Sequence, residues 1–166
     1  MEEIITISVS DSLLYEKAAI YIYEICKKNA KPLHLGEVVY PDFYKEIEKM
    51  LLSHDPYEEN FILYMGALPC GWLKVNGLDN PDDAWISMMA VEPKYHRLGI
   101  GTVAVGYAEE FLRSRHKRRA LVRTTEDNIA AYNLYKSCGF AVKKTFEDIA
   151  ADGVKRKWTV FEKELK

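Results

Sequence analysis

The segment from Met89 to Thr102, MAVEPKYHRLGIGT, constrains the fold of this chain more than any other. Apolar residues up to Val91 predict a strand, Pro93 lacks the N–H that a ladder needs, and Gly99 and Gly101 open an amphipathic helix. The first N–H groups of a helix have no partner within it, and the helix dipole favours negative charge at that end. A glycine turn between a strand and a helix therefore predicts an anion site, such as a phosphate site.

The composition predicts an ordinary globular protein. Of 166 residues, 48% are hydrophobic and 29% are charged, which is typical of one domain with its own core, spanning residues 1–166. A net charge of −2 gives the chain as a whole no nucleic-acid-binding signature. Cys26, Cys70 and Cys138 are odd in number and far apart, which argues against a disulfide framework and a zinc site.

Two further sequence features bear on partners and location. The N-terminus lacks the basic region of a signal peptide, and no apolar run reaches membrane-spanning length. We therefore expect a cytoplasmic protein without a membrane partner, present as a monomer or a homodimer. We interpret the basic run from Arg113 to Arg119 as a solvated helix end whose cations complement the helix dipole. The alternative interpretation is a nucleic-acid patch, which would bind with a steep dependence on salt.

Hydrophobic periodicity and turn residues predict the element order β-α-α-β-β-β-α-β-α-β-β, a mixed α/β domain. The predicted strands are Ile4–Val9, Phe61–Met65, Trp72–Val75, Trp85–Val91, Ala120–Val122, Phe140–Phe146 and Val154–Phe161. The predicted helices are Leu13–Lys28 with a cap at Ser10–Ser12, Pro41–Leu52, one from the glycine turn to His116, and Asn128–Ser137. We expect a turn around Gly66 and Pro69–Gly71, and a hairpin across Ala150–Gly153.

The glycine turn alone is compatible with several phosphate ligands. A dinucleotide fingerprint requires G-x-G-x-x-G, but its third glycine position is Ala104. A Walker loop requires Lys and Ser or Thr after its last glycine, whereas Gly106 is followed by Tyr107 and Ala108. A third pattern remains, with a polar residue at position 96 and glycines at 99 and 101.

This third pattern resembles the [Q/R]-x-x-G-x-[G/A] signature of the GNAT acyltransferase superfamily. The segment Asn128–Phe140 resembles a second element of that family, N-x-x-A-x-x-L-Y-x-x-x-G-F, and the two motifs stand in the family order. With the lead-in of strands and helices, the resemblance covers nearly the whole chain. It implies a GNAT-type α/β (α+β) fold, in which helices flank a mixed, mostly antiparallel central sheet. It also implies acetyl-CoA as co-substrate, no metal, and an amine-bearing acceptor that is a small molecule or a peptide.

The resemblance also implies roles for individual residues. The strand edge at Met89, Ala90 and Val91 would pair with the pantetheine arm of the cofactor. Backbone groups of the turn would hold the pyrophosphate; the turn comprises Arg97, Leu98, Gly99, Ile100, Gly101 and Thr102. Asn128 would hydrogen-bond to the cofactor arm. Tyr135 would act as the catalytic acid that protonates the departing thiolate, because a phenol stays protonated at pH 7 and still donates strongly.

Two positions depart from the family pattern. His96 stands where the family prefers Gln or Arg, and we expect binding to survive because the backbone matters more there. Arg123 stands where members that acetylate protein N-termini often carry a glutamate base. The base is therefore unassigned, with Glu126 and Asp83 as candidates and a water chain as the alternative.

We expect the acceptor pocket between the first two helices, their loop Lys31–Tyr40 and the final hairpin. Aromatic residues in this region favour a partly apolar or cationic acceptor; they are Tyr15, Tyr21, Tyr40, Phe43 and Tyr44. The sequence thus predicts an acetyl-CoA-dependent N-acetyltransferase. The alternative is a non-catalytic acyl-CoA-binding module that keeps the pyrophosphate turn without the chemistry.

Overall fold

The computed structural model describes residues 3–8 and 15–166, with side chains from residue 17 onward and at residues 3 and 4. The predicted cap at Ser10–Ser12 and the predicted helix start at Leu13 lie outside the described residues. The helices are α1 Tyr15–Lys28, α2 Asp42–Leu52, α3 Ile100–Ser114 and α4 Ile129–Ser137. The strands are β1 Ile4–Ser8, β2 Glu59–Met65, β3 Leu68–Asn76, β4 Asp83–Val91, β5 Arg119–Thr125, β6 Ala141–Ile149 and β7 Lys155–Glu164.

The described strands form one seven-stranded sheet in the order β1-β2-β3-β4-β5-β7-β6. Every neighbouring pair is antiparallel except β4 and β5, which are parallel. The predicted element order and the mixed, mostly antiparallel α/β fold are therefore confirmed. The hairpin that joins β6 and β7 is confirmed as well.

Helices cover both faces of the sheet. On one face, α3 and α4 bury a core that contains Phe61, Val122 and Phe161 of the sheet and Leu112 of α3. On the other face, α1 and α2 pack against side chains of β2, β3 and β4, including Trp72. Since side chains alternate along a strand, β2, β3 and β4 contribute to both cores.

The predicted turn at Pro69–Gly71 is wrong, because β3 already begins at Leu68. Pro69 pairs with Tyr64 of β2, while the register with β4 begins only at Gly71, so the missing N–H of Pro69 costs no bond to β4. A Cβ at Gly71 would lie 2.8 Å from the Ala90 carbonyl oxygen. Glycine therefore serves close strand packing here and not a turn.

Helix α3 and strand β5 also differ from expectation. The glycine-turn helix ends at Ser114 rather than His116, and the apolar residue Val103 is 45% exposed. Strand β5 extends to Thr125 instead of ending at Val122, since pairing with β7 keeps three further polar residues in the sheet. This extension carries Arg123 alongside the site described next.

Candidate active site

The parallel strands β4 and β5 separate part-way along their length. Their pairing runs from Asp83 with Arg119 to Ile86 with Val122. At the next position Ser87 is an extra residue, because Val75 of β3 pairs with Ile86 while Lys74 pairs with Met88. A bulge bends the strand that carries it. Beyond this bulge β4 and β5 are unpaired with each other, and a cleft opens between them.

A cavity of about 720 Å³ occupies this cleft. All but one of the predicted site residues line it: Met89, Ala90, Val91, Arg97, Gly99, Ile100, Gly101, Thr102, Asn128 and Tyr135. The exception is Leu98, whose side chain is 55% exposed and points away from the core, so that only its backbone is available for the predicted role. Elements far apart in sequence thus meet around one space.

Backbone groups of β4 face this cleft at alternate residues. The Glu92 N–H donates to the Cys70 carbonyl oxygen at 2.8 Å, which makes this pair a hydrogen-bonded position of the antiparallel ladder with β3. By alternation the polar groups of Ala90 also face β3, and those of Met89 and Val91 face the cleft. Ala90 therefore lines the cavity, but its backbone N–H and carbonyl face β3. Among these three residues, Met89 and Val91 present their backbone N–H and carbonyl to the cleft.

The carbonyl of Val91 is already partly occupied. It accepts hydrogen bonds from Asn29 Nδ2 at 3.3 Å and from His96 Nε2 at 3.0 Å. Because a carbonyl oxygen has two lone pairs, these bonds leave the Val91 N–H as the residue's main free group at the cleft. This contact of His96 is not predicted by any motif: its ring links the end of β4 to the start of the turn.

The turn itself is built for close approach of an anion. Arg97 has φ of 65° and Gly99 has φ of 81°, both in the left-handed region. The Val103 N–H donates to the Gly99 carbonyl oxygen at 3.2 Å. The N–H groups of residues 100–102 precede this bond and have no acceptor within the helix. They line the cavity at the positive end of the α3 dipole, where a phosphate is favoured.

Helix α4 brings Tyr135 to the same cavity. The Tyr135 side chain is buried, and its ring lies 5.9 Å from the ring of Phe140 and 6.1 Å from that of Phe161, measured between centroids. Burial, with a smaller effect of Cys138, raises the pKa of the Tyr135 hydroxyl above its ordinary value. The group therefore remains a proton donor at neutral pH.

Asn128 caps helix α4 and also contacts the acceptor side. Its Oδ1 accepts from the Ala131 N–H at 3.2 Å, as an N-cap residue does. Its Nδ2 donates to the Pro32 carbonyl oxygen at 3.4 Å. One amide hydrogen is left over for a ligand, which is what the predicted contact with the cofactor arm requires.

A polar cluster, which we call the latch, adjoins the cavity through His34, which is one of the lining residues. His34 of the α1–α2 loop lies 3.0 Å from Asp127, and its carbonyl accepts from the Asp152 N–H at 3.0 Å. Arg156 of β7 donates to both Asp127 and Asp152. Hydrogen bonds from Thr125 and His34 lower the pKa of Asp127, and the bond from Arg156 lowers that of Asp152.

The sequence did not reveal this latch. Its members lie on the α1–α2 loop, the β5–α4 turn and the β6–β7 hairpin, and they have no motif spacing. The expectation that this loop and hairpin border the acceptor pocket agrees with the cavity lining, which includes His34 and Ala151.

The aromatic residues predicted for the acceptor pocket are elsewhere. The rings of Tyr23, Tyr40 and Tyr44 contact one another between α1 and α2, with centroids 5.7 to 6.3 Å apart. None of these, nor Tyr21 or Phe43, lines the cavity, and the side chain of Tyr15 lies outside the described residues. Tyr95 and Trp158 are the aromatic residues that join Tyr135 in the lining instead.

Neither candidate carboxylate base reaches the cavity. Glu126 pairs with Lys157 at 3.1 Å, and Asp83 pairs with Arg119 at 2.6 Å at the opposite end of β4 from the cleft. No Asp or Glu occurs among the described residues that line the cavity.

The described residues contain no group of three or more side chains suited to a metal ion. None of the described helices has the length and apolar character of a membrane span.

The basic run from Arg113 to Arg119, predicted as a helix end, makes contacts within the chain. Arg113 pairs with Glu110 at 2.6 Å, and Lys117 donates to the carbonyl oxygens of Leu78 and Asn80. Arg115 lies over the ring of Phe111 at 4.9 Å. These cations serve local packing at the end of α3.

Comparison with known proteins agrees with this geometry. The family model described as "Acetyltransferase (GNAT) family" matches residues 21–140. The chain therefore belongs to the GNAT family of acetyltransferases, as the two motifs predicted, and it is an acyltransferase. A search of curated proteins finds no match.

Solved structures share the fold at low sequence identity. Spermidine N-acetyltransferase from Vibrio cholerae, in complex with CoA and spermine, has a TM-score of 0.81 at 13% identity, over 98% of this chain and 95% of that one. The Salmonella typhimurium acetyltransferase that modifies the N-terminal serine of ribosomal protein L7/L12 has a TM-score of 0.79 at 14% identity, over 98% and 95%. The Escherichia coli ribosomal-protein-S18-alanine N-acetyltransferase has a TM-score of 0.69 at 18% identity, over 99% and 95%.

Proposed function

We propose that this chain, as a single domain, is an acetyl-CoA-dependent N-acetyltransferase that acts by direct transfer to a primary amine. The observation that carries the proposal is the shared cavity in which the α3 turn, the free edge of β4 and the Tyr135 hydroxyl meet. These three features supply an anion site, an unpaired strand edge and a proton donor. Such a combination suits a thioester cofactor with a pyrophosphate at one end and a sulfur at the other.

The cofactor-binding roles follow from this arrangement. The N–H groups of residues 100–102 bind the pyrophosphate, with Arg97 adjacent as a cation. The Met89 carbonyl and the Val91 N–H pair with the amides of the pantetheine arm. Asn128 uses its remaining amide hydrogen on the same arm.

The reaction needs one nucleophile, one acid and a route for a proton. The neutral amine attacks the thioester carbonyl, a C–N bond forms, and the oxyanion is held by the Met89 N–H. The C–S bond then breaks and Tyr135 protonates the thiolate, after which solvent restores the phenol. Because no carboxylate lines the described part of the cavity, the proton of the amine leaves through water.

An acetyl-transfer screen tests the proposal. The purified chain is incubated with acetyl-CoA and a panel of amino acids, simple amines, polyamines and peptides, and released thiol is measured together with the mass of the product. We expect at least one amine to gain an acetyl group in equal amount to the CoA released. Binding of acetyl-CoA with no transfer to any amine would instead support the non-catalytic acyl-CoA-binding alternative. The presence of Tyr135 in the cavity favours the enzyme.

A further inference from the structure

Arg123 lies on the acceptor side of the cleft. It follows Val122, the last residue of β5 that pairs with β4, and lines the cavity. Val122 packs into the core beneath α3 and α4, so alternation places Arg123 on the opposite face of the sheet. There its guanidinium lies 4.8 Å from the ring centroid of Trp158. The ring contact holds the cation at one position without neutralising it.

No acidic side chain compensates this cation. No carboxylate of the described residues lies within ion-pair distance of Arg123, and none lines the cavity. The acids closest in sequence have other partners: Glu126 pairs with Lys157, and Asp127 pairs with His34 and Arg156. The other arginine of the lining, Arg97, belongs to the turn at the donor end. Arg123 is therefore an exposed positive charge with no counter-ion among the described residues, at the part of the cavity left for the acceptor.

From this arrangement we infer that the acceptor is a primary amine that also carries a carboxylate, and that Arg123 binds this carboxylate. The inference rests on the proposed function. The lining also contains the apolar side chains of Leu33, Met88 and Ile149, which favour an acceptor with an apolar body. A guanidinium binds a carboxylate with two parallel hydrogen bonds and so orients the attached amine. A polyamine would instead place a second cation beside Arg123, with no acid to receive it.

Matched acceptors test the charge requirement directly. L-Leucine, L-methionine and L-phenylalanine are each compared with the corresponding amide and the corresponding decarboxylated amine, and spermidine serves as the cationic probe. We expect kcat/KM for each amino acid to exceed that for its amide and amine by about tenfold or more, the size of one charged hydrogen-bonded pair. A preference for spermidine or for the uncharged analogues would overturn the inference.

Arg123→Gln tests whether Arg123 is responsible for the preference for acceptors with a carboxylate, and Arg115→Gln is the matched control. Arg115 also lies over an aromatic ring but is outside the cavity. We expect Arg123→Gln to raise KM about tenfold for the amino acids only, with KM for acetyl-CoA unchanged, and Arg123→Lys to restore part of the loss. We expect no change in Arg115→Gln. A rise in KM for acetyl-CoA would overturn the inference, since Arg123 would then serve the cofactor.

Acceptor binding, measured alongside acetyl transfer, separates this inference from the proposed function. Calorimetric titration with L-leucine in the presence of CoA reports occupancy of the acceptor side, whether or not transfer occurs. If no amine is acetylated, the proposed function fails. L-Leucine that still binds the wild type about tenfold tighter than Arg123→Gln then supports Arg123 as a carboxylate site, and equal binding contradicts it.

Discussion

Ile86 on β4 and Val122 on β5 are the last pair of residues that joins these two parallel strands. Ser87 is the bulged residue that follows, and the cleft begins there. On one face of the sheet Val122 packs into the core under α3 and α4, and on the other face the next residue, Arg123, borders the acceptor space. The end of this pairing therefore positions both halves of the site.

The left-handed turn at the start of α3 is predicted to be sensitive to a single methyl group. Gly99→Ala places a side chain at φ of 81°, and Gly153→Ala does the same at φ of 80° in the β6–β7 hairpin; neither Cβ meets an atom within 4 Å. Both variants should lose about 1 kcal/mol in the free energy of unfolding, measured with urea. Only Gly99→Ala should also weaken acetyl-CoA binding in calorimetry. Equal CoA affinity in the two variants would contradict a role for the turn.

Asn128 is predicted to act through both polar atoms of its side-chain amide, Oδ1 and Nδ2. Asn128→Ala removes the N-cap of α4 and should lower the free energy of unfolding by about 1 kcal/mol. Asn128→Asp keeps the capping oxygen and removes the Nδ2 donor, so it should preserve stability while weakening acetyl-CoA binding. Urea unfolding and calorimetry on the same samples separate these effects. Stability that falls equally in both variants would show that the cap oxygen is not what matters.

The latch gives a pH dependence with a definite sign. The pKa values of Asp127 and Asp152 are lowered in the folded chain, so each carboxylate stabilises the fold fully above its unfolded pKa of about 3.9. This contribution is lost as the pH falls through the lower folded values. We expect Asp152→Asn to be less stable than the wild type from pH 5 to 7, with the difference shrinking below about pH 4.

Urea midpoints measured from pH 7 to pH 2 check this dependence. Asp79→Asn is the control, because Asp79 is an exposed loop residue outside the latch. Its difference from the wild type should stay small and flat. A difference for Asp152→Asn that grows as the pH falls would contradict the lowered pKa.

The sequence predicts those parts of the site that are local. The strand, turn and helix around Gly99 and the cap at Asn128 each depend on neighbouring residues, and the structure brings these segments to one cavity. Features that depend on partners distant in sequence were missed. The bulge at Ser87, the extension of β5 to Thr125 and the latch at His34 are set by pairing between elements, which no local pattern encodes. The aromatic cluster of α1 and α2 was misassigned for the same reason.

We infer that Tyr135 delivers a proton in a cavity that binds acetyl-CoA, and a pair of tyrosine variants separates this role from cofactor binding. Tyr135→Phe keeps the ring packed against Phe140 and Phe161, while Tyr132→Phe removes a hydroxyl from the same helix outside the cavity lining. Measuring kcat for acetyl transfer together with the Kd of acetyl-CoA, we expect Tyr135→Phe to lower kcat about 100-fold or more with Kd within about twofold. Tyr132→Phe should match the wild type in both. Unchanged kcat in Tyr135→Phe would contradict the claim.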